Sequence, residues 1–180
     1  MQLETIETAP QMDAGAFDLR ALKASDAGLM TLYCSDLRIS GKTTSIPHPL
    51  PPGAAEAFIE RARQADDPED VWAMDASRFG GAELMGLISL ERMEGSQSEI
   101  GYWVAPAFWN TGVASAAVAA LLKANPQKAR TIFASVFQDN PVSARVLTNC
   151  GFDYVGDAES YSVARASKVP TWTYLYHCSG

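Results

Sequence analysis

Apolar and polar residues alternate over Phe17-Asp18-Leu19-Arg20-Ala21-Leu22, the period of a half-buried strand. Ala27, Leu29, Met30, Leu32 and Tyr33 then repeat at helical spacing, which predicts a helix capped by Ser25 and running to about Asp36. The run Ile46-Pro47-His48-Pro49-Leu50-Pro51-Pro52-Gly53 is too rich in proline for anything but a loop. A second helix follows over 54–65 and stops at Asp66-Asp67-Pro68. From there the period shortens. Residues 71–74 and 83–92 read as strands joined by a Gly80-Gly81 turn, and 96–104 as a third after Glu94-Gly95-Ser96. A helix rich in small residues over 114–124 closes at Asn125-Pro126, and 131–137 is β-branched and aromatic, a strand. Residues 141–149 form a short helix, with proline in its first turn and Gly151 just past its end. Residues 152–161 and 171–177 read as the last strands, and 1–15 as a loose arm or an edge strand.

That order, two helices and then strands interleaved with two more helices, predicts an α/β (α+β) mixed sheet in one domain spanning 1–180. At 180 residues such a domain can bury a core without disulfides or metal. The net charge of −7 and the absence of a basic stripe argue against a nucleic-acid partner and are compatible with a cationic one. Cys34, Cys150 and Cys178 are widely spaced and suggest neither a disulfide framework nor a zinc site. The first residues lack the basic and apolar regions of a signal peptide, and no apolar run reaches membrane-spanning length. The expectation is a cytoplasmic protein with no membrane partner and no metal.

Chemistry concentrates in 99–115, a strand, a short loop and a helix start containing Gly112 and Ala114. Unpaired N–H groups and partial positive charge make such a helix start an anion site, and small residues let a phosphate approach the backbone. A lone Gly-x-Ala is weak evidence, and on that motif alone a tight strand-to-helix turn with close packing is the favoured explanation. No P-loop and no full dinucleotide fingerprint are present.

The run Glu99-Ile100-Gly101-Tyr102-Trp103-Val104, then Pro106, then Trp109-Asn110-Thr111-Gly112-Val113-Ala114-Ser115, resembles motif A of the GNAT N-acetyltransferases. Asn140-Pro141-Val142-Ser143-Ala144-Arg145-Val146-Leu147, ending in Cys150-Gly151-Phe152, resembles their motif B. The similarity is greatest to the branch that acetylates N-terminal amines of ribosomal proteins, and it covers most of the chain. It implies a mostly antiparallel sheet splayed between its fourth and fifth strands, here 99–104 and 131–137. It also implies acetyl-CoA as co-substrate, with direct attack by a primary amine, most simply a protein N-terminus. By resemblance, backbone groups of Tyr102, Trp103 and Val104 pair with pantetheine. Those of Trp109, Asn110, Thr111, Gly112, Val113, Ala114 and Ser115 cradle the pyrophosphate, and Asn140 holds the cofactor arm. A small-molecule amine acceptor and a non-catalytic acyl-CoA-binding module are the alternatives, in a monomer or homodimer.

Asn110 stands where that branch usually has glycine, and asparagine tolerates positive φ best among the other residues. Leu147 stands where many relatives carry a tyrosine general acid. Ser143 is the substitute, protonating the departing thiolate or hydrogen-bonding the sulfur; Asn140 and Ser143 also suit a plain helix start. Glu99 shares a strand face with Gly101 and Trp103, unless a bulge intervenes, and is the candidate base acting through water. A solvated edge carboxylate is its other reading. His48 borders the expected acceptor pocket and either binds the acceptor or is merely exposed. His177 reads as structural, the four tryptophans as core or cleft walls, and 66–70 as a solvated loop.

Overall fold

A computed structural model describes residues 10–179, whose strands form one eight-stranded sheet. In chain order these are β1 (Met12–Asp13), β2 (Asp18–Ala21), β3 (Glu69–Asp75), β4 (Gly86–Met93), β5 (Gln97–Val104), β6 (Thr131–Phe137), β7 (Asp153–Ser162) and β8 (Ser167–His177). In space they lie β1-β2-β3-β4-β5-β6-β8-β7, antiparallel throughout except for β5–β6. The helices are α1 (Ala27–Cys34), α2 (Leu37–Ser40), α3 (Ala54–Ala62), α4 (Val113–Ala124) and α5 (Pro141–Asn149). The expected mixed, mostly antiparallel sheet flanked by helices is thus the fold. Of the expected arm, 1–9 lie outside the described residues, and Met12–Asp13 is an edge strand.

Both faces of the sheet are covered, and strand alternation decides which residue serves which. Trp72 and Met74 of β3 join the core beneath α4 and α5, while Val71 and Ala73 join the one beneath α1 and α3. Two buried faces explain why β3 reads as a continuous apolar run rather than an alternating one. In α4, Ala114, Ala117, Val118 and Leu121 form the apolar stripe against the first core. Among the described residues no helix is long and apolar enough to cross a membrane.

The first helix departs from expectation. Ser25 does not cap it; Ala24–Asp26 forms a 3₁₀ turn, and the carboxylate of Asp26 accepts the Lys23 N–H at 2.8 Å. Asp26 is buried because Arg20 of β2 grips it with two hydrogen bonds of 2.9 Å, while the Arg20 Nε donates to Asp75 of β3 at 2.6 Å. Nor does Asp36 end a helix. Its side chain accepts the Arg38 N–H at 2.9 Å and starts α2, an Asx cap that the apolar period could not reveal. The strand expected over 83–92 begins later, at Gly86, because Ser77–Phe79 forms a 3₁₀ turn where a simple Gly80-Gly81 turn was expected. β8 begins four residues earlier than expected and runs through Pro170. Proline is tolerated there because β6 has already ended at Phe137, and the only bond needed on that side uses the Pro170 carbonyl, which accepts the Gln138 N–H at 3.0 Å.

Candidate active site

β5 and β6 pair at only three positions, from Gln97 opposite Thr131 to Glu99 opposite Phe133. Beyond them each strand stays with its outer neighbour, β5 with β4 as far as Val104 opposite Gly86, and β6 with β8 as far as Phe137 opposite Thr171. The sheet therefore opens between these two strands. Counting the two-residue β1, they are the fifth and sixth. Two bonds fix which backbone groups face the opening. Arg130 donates its N–H to the Ser96 carbonyl on the β6 side, and Ala105 donates to Met85 on the β4 side, both at 2.8 Å. The β4–β5 register is continuous, without a bulge. By alternation Tyr102 and Val104 turn their backbone groups to the opening, whereas Trp103 turns its own to β4. Of the three residues expected to pair with pantetheine, Trp103 is thus engaged in the ladder and offers only its side chain, packed edge-to-face on Tyr33 at 6.2 Å.

The cradle follows. Asn110 has φ +60° and Gly112 φ +80°, so the left-handed geometry expected at Asn110 is present. These two turns feed the chain into α4 with no side-chain cap. The first intrahelical bond runs from the Ala116 N–H to the Gly112 carbonyl, which leaves the N–H groups of Val113, Ala114 and Ser115 without acceptors among the described residues. A Cβ on Gly112 would meet nothing within 4 Å, so the glycine is required by its φ and faces open space that a phosphate can fill. The Thr111 hydroxyl donates to the Phe108 carbonyl, and the Trp109 Nε1 donates to the Val104 carbonyl at 2.6 Å, tying the loop to the exposed edge of β5.

On the far side of the opening, Asn140 caps α5, its Oδ1 accepting the Ser143 N–H at 3.4 Å. The Ser143 Oγ donates to the phenol oxygen of Tyr102, and the Tyr102 hydroxyl donates to the Ser143 carbonyl, both at 2.9 Å. Leu147, which stands where the resemblance implies a tyrosine general acid, is fully buried in the core. A tyrosine side chain nevertheless stands beside Ser143, supplied by β5. The sequence reading used only the backbone of Tyr102 and missed it, although its place in an alternating strand was a usable signal.

The edge of β5 from Tyr102 to Val104, the cradle from Trp109 to Ser115, Asn140 and Ser143 line one cavity of about 1210 Å³. Its other wall carries carboxylates. Glu69, Glu91 and Glu99 lie directly opposite one another on β3, β4 and β5, and no ion pair among the described residues engages them. Like charges in cross-strand register repel, so the row costs stability. Burial, reinforced by Glu91, holds the carboxyl of Glu99 above the ordinary range. Burial, reinforced by Glu91, Asp67 and Glu99, pushes Glu69 up to about 6. His48 is exposed and stands off the cavity wall; its neighbours Ile46, Pro47 and Leu50 line it instead. No group of three or more His, Cys, Asp or Glu among the described residues is placed to hold a metal.

Two contacts that hold the roof had no signal in the sequence. Arg38 of α2 stacks over Trp109 at 5.5 Å. Asp139, just before α5, accepts from Arg165 of the β7–β8 turn at 2.6 and 3.0 Å, and its carbonyl accepts from Lys42 at 2.8 Å. Both join residues far apart in sequence, which no local pattern encodes.

Residues 17–153 match the model of the acetyltransferase (GNAT) domain. A comparison with curated protein sequences gives no match. Among solved structures, Mycobacterium smegmatis RimJ in complex with CoA-disulfide is 18% identical at a TM-score of 0.78, covering 98% of this chain and 90% of that one. A Salmonella typhimurium acetyltransferase that modifies the N-terminal serine of the 50S ribosomal subunit protein L7/L12 is 16% identical at 0.77, covering 94% and 100%. Spermidine N-acetyltransferase from Vibrio cholerae, in complex with CoA and spermine, is 17% identical at 0.75, covering 91% and 96%. At these identities the likeness is one of fold.

Proposed function

Because the chain belongs to the GNAT acetyltransferase family, we propose that it moves an acetyl group from acetyl-CoA to a primary amine by direct attack in a ternary complex. The observation that carries this reading is the open β5 edge ending at an uncapped helix start, a strand-like partner for pantetheine continuous with an anion cradle for pyrophosphate. Tyr102 and Val104 supply the backbone pairing, Val113 to Ser115 the phosphate donors, and Asn140 a side-chain contact where the strands part. Glu99 faces the acceptor side and takes the ammonium proton through water, so that the neutral amine can attack. Ser143 gives a hydrogen bond to the sulfur as the thiolate leaves.

A protein N-terminal amine is the first acceptor to test, since relatives of this fold act on ribosomal-protein N-termini. The row of Glu69, Glu91 and Glu99 favours a second reading, a small polycationic amine of the kind handled by the spermidine enzyme. Thiol release from acetyl-CoA, measured with peptides of varied N-terminus and with polyamines, separates the two. Release with neither class, by protein that still binds acetyl-CoA, would sink catalysis and leave a binding module.

A further inference from the structure

The hydrogen bonds around Ser143 are pointed the wrong way for its proposed task, and the way in which they can reverse names another participant. A serine hydroxyl has one hydrogen, and here that hydrogen goes to the Tyr102 oxygen at 2.9 Å. Ser143 therefore presents only lone pairs to the cavity, whereas a departing thiolate needs a donor. The Tyr102 hydroxyl hydrogen meanwhile rests on the Ser143 carbonyl, also at 2.9 Å. One phenol oxygen is thus within hydrogen-bond distance of both oxygens of a single residue, and turning one C–O bond moves its hydrogen from one to the other.

We propose that Tyr102 is a positioning residue for Ser143: as negative charge develops on the sulfur, the Tyr102 hydrogen turns from the Ser143 carbonyl to the Ser143 Oγ, freeing the serine hydrogen for the sulfur. No heavy atom moves, no covalent bond changes, and Tyr102 keeps its own proton throughout. The proton that finally rests on sulfur is the one the amine loses on becoming an amide.

Three features of the molecule bear on this. Burial raises the phenol well above its ordinary value, against a smaller pull from Ser143, so it holds a hydrogen at any working pH. Tyr102 and Ser143 line the same cavity. They also belong to β5 and α5, elements on either side of the place where the sheet parts, so the relay reaches across the opening. Leu147 offers no polar atom and is fully buried, so the hydroxyl that stands beside Ser143 is the phenol of Tyr102.

The inference rests on the acetyl-CoA reading, and the test keeps the two apart by needing no acceptor. Free CoA is bound to the full chain and its thiol is titrated by thiolate absorbance, alongside binding of desulfo-CoA. In the wild type the bound thiol should titrate about one pH unit below free CoA, the effect of one charge-assisted hydrogen bond. Ser143→Ala should move it most of the way back. Tyr102→Phe keeps the ring and leaves the serine its hydrogen but removes the donor that aims it, so it should move the thiol part of the way back, and the double variant no further than Ser143→Ala alone. Desulfo-CoA, which has no sulfur for Ser143 to reach, should still saturate all four proteins. Replacing Tyr102 by 3-fluorotyrosine, a stronger donor with the same shape, should lower the thiol further, and this arm stands even where Tyr102→Phe fails to fold. Wild-type titration in Tyr102→Phe, additive shifts in the double variant, or no response to the fluorinated ring overturns the proposal while CoA binding stands. Loss of desulfo-CoA binding by the wild type overturns the CoA site, and the relay with it.

Discussion

The indole Nε1 of Trp109 donates to the main-chain carbonyl of Val104 at 2.6 Å. This bond joins the last residue of β5 to the first residue of the cradle, so the strand edge and the anion site are held in one register. It also uses a carbonyl that would otherwise end the open edge unpaired. The pantetheine pairing proposed above is thereby left to both backbone groups of Tyr102 and the N–H of Val104.

Trp109→Phe should keep the aromatic surface beneath Arg38 and lose the bond. A single neutral hydrogen bond is worth about 1 kcal/mol, so CoA affinity should fall about fivefold by calorimetry, with little change in melting temperature. Arg38→Ala, which removes an exposed stacking partner and an exposed ion pair to Asp36, should weaken binding less than twofold. Equal losses in the two variants would mean that stacking, not the bond to Val104, orders the loop.

Gly112 is a sharper test of the cradle. Alanine at φ +80° costs about 1–2 kcal/mol of backbone strain, and its Cβ projects into space that is open in the protein. Gly112→Ala should therefore lower the melting temperature by a few degrees and CoA affinity by more than tenfold. Asn110→Gly relieves a φ of +60° and should bind CoA as the wild type does. Unaltered CoA affinity in Gly112→Ala would place the pyrophosphate elsewhere.

The carboxylate row predicts a pH dependence in two directions. As the proposed base Glu99 can act only when ionised, and its carboxyl lies above the ordinary range. kcat/KM should thus rise with pH through that raised value. Glu91→Gln removes the charge that reinforces burial and should shift the acid limb to lower pH, while Glu99→Gln should lower kcat about 100-fold. For stability the sign is opposite to that of a salt-bridged acid. Glu69 is raised to about 6, so its contribution is present below the unfolded value of about 4.3 and is lost as pH rises through about 6. Glu69→Gln should melt higher than the wild type at pH 8, by on the order of 1 kcal/mol after screening, and no higher at pH 4.

How much of this was legible in the sequence depended on whether the cause was local. The strand 131–137 and the helix 141–149 have the bounds expected, because β-branched residues, an early proline and a closing glycine all act within a few positions. The positive φ at Asn110 was readable for the same reason. Trp103 was misassigned because side-chain alternation does not tell which edge of a strand its backbone faces; that depends on partners such as Met85 and Ser96. The start of the first helix was misplaced because Asp26 takes its conformation from Arg20 and, through it, Asp75, forty-nine residues further on. The acid row became visible only with strand register.

That Arg20 cluster carries the last prediction. Arg20, Asp26 and Asp75 are all buried, and the guanidinium spends all five of its donors on the two carboxylates and on the Ala21 and Glu83 carbonyls. Removing one member leaves uncompensated charge inside the fold, which typically costs about 3–5 kcal/mol. Asp26→Ala should therefore lower the melting temperature by roughly 10 °C for a chain of this length. The triple replacement Arg20→Met, Asp26→Leu, Asp75→Leu removes every charge together. It should recover much of that loss, because a buried ion cluster is often no more stable than apolar packing of similar volume. If the triple variant melts well below Asp26→Ala, the cluster's directional bonds, rather than the avoidance of a lone buried charge, hold β2, β3 and the start of α1 together.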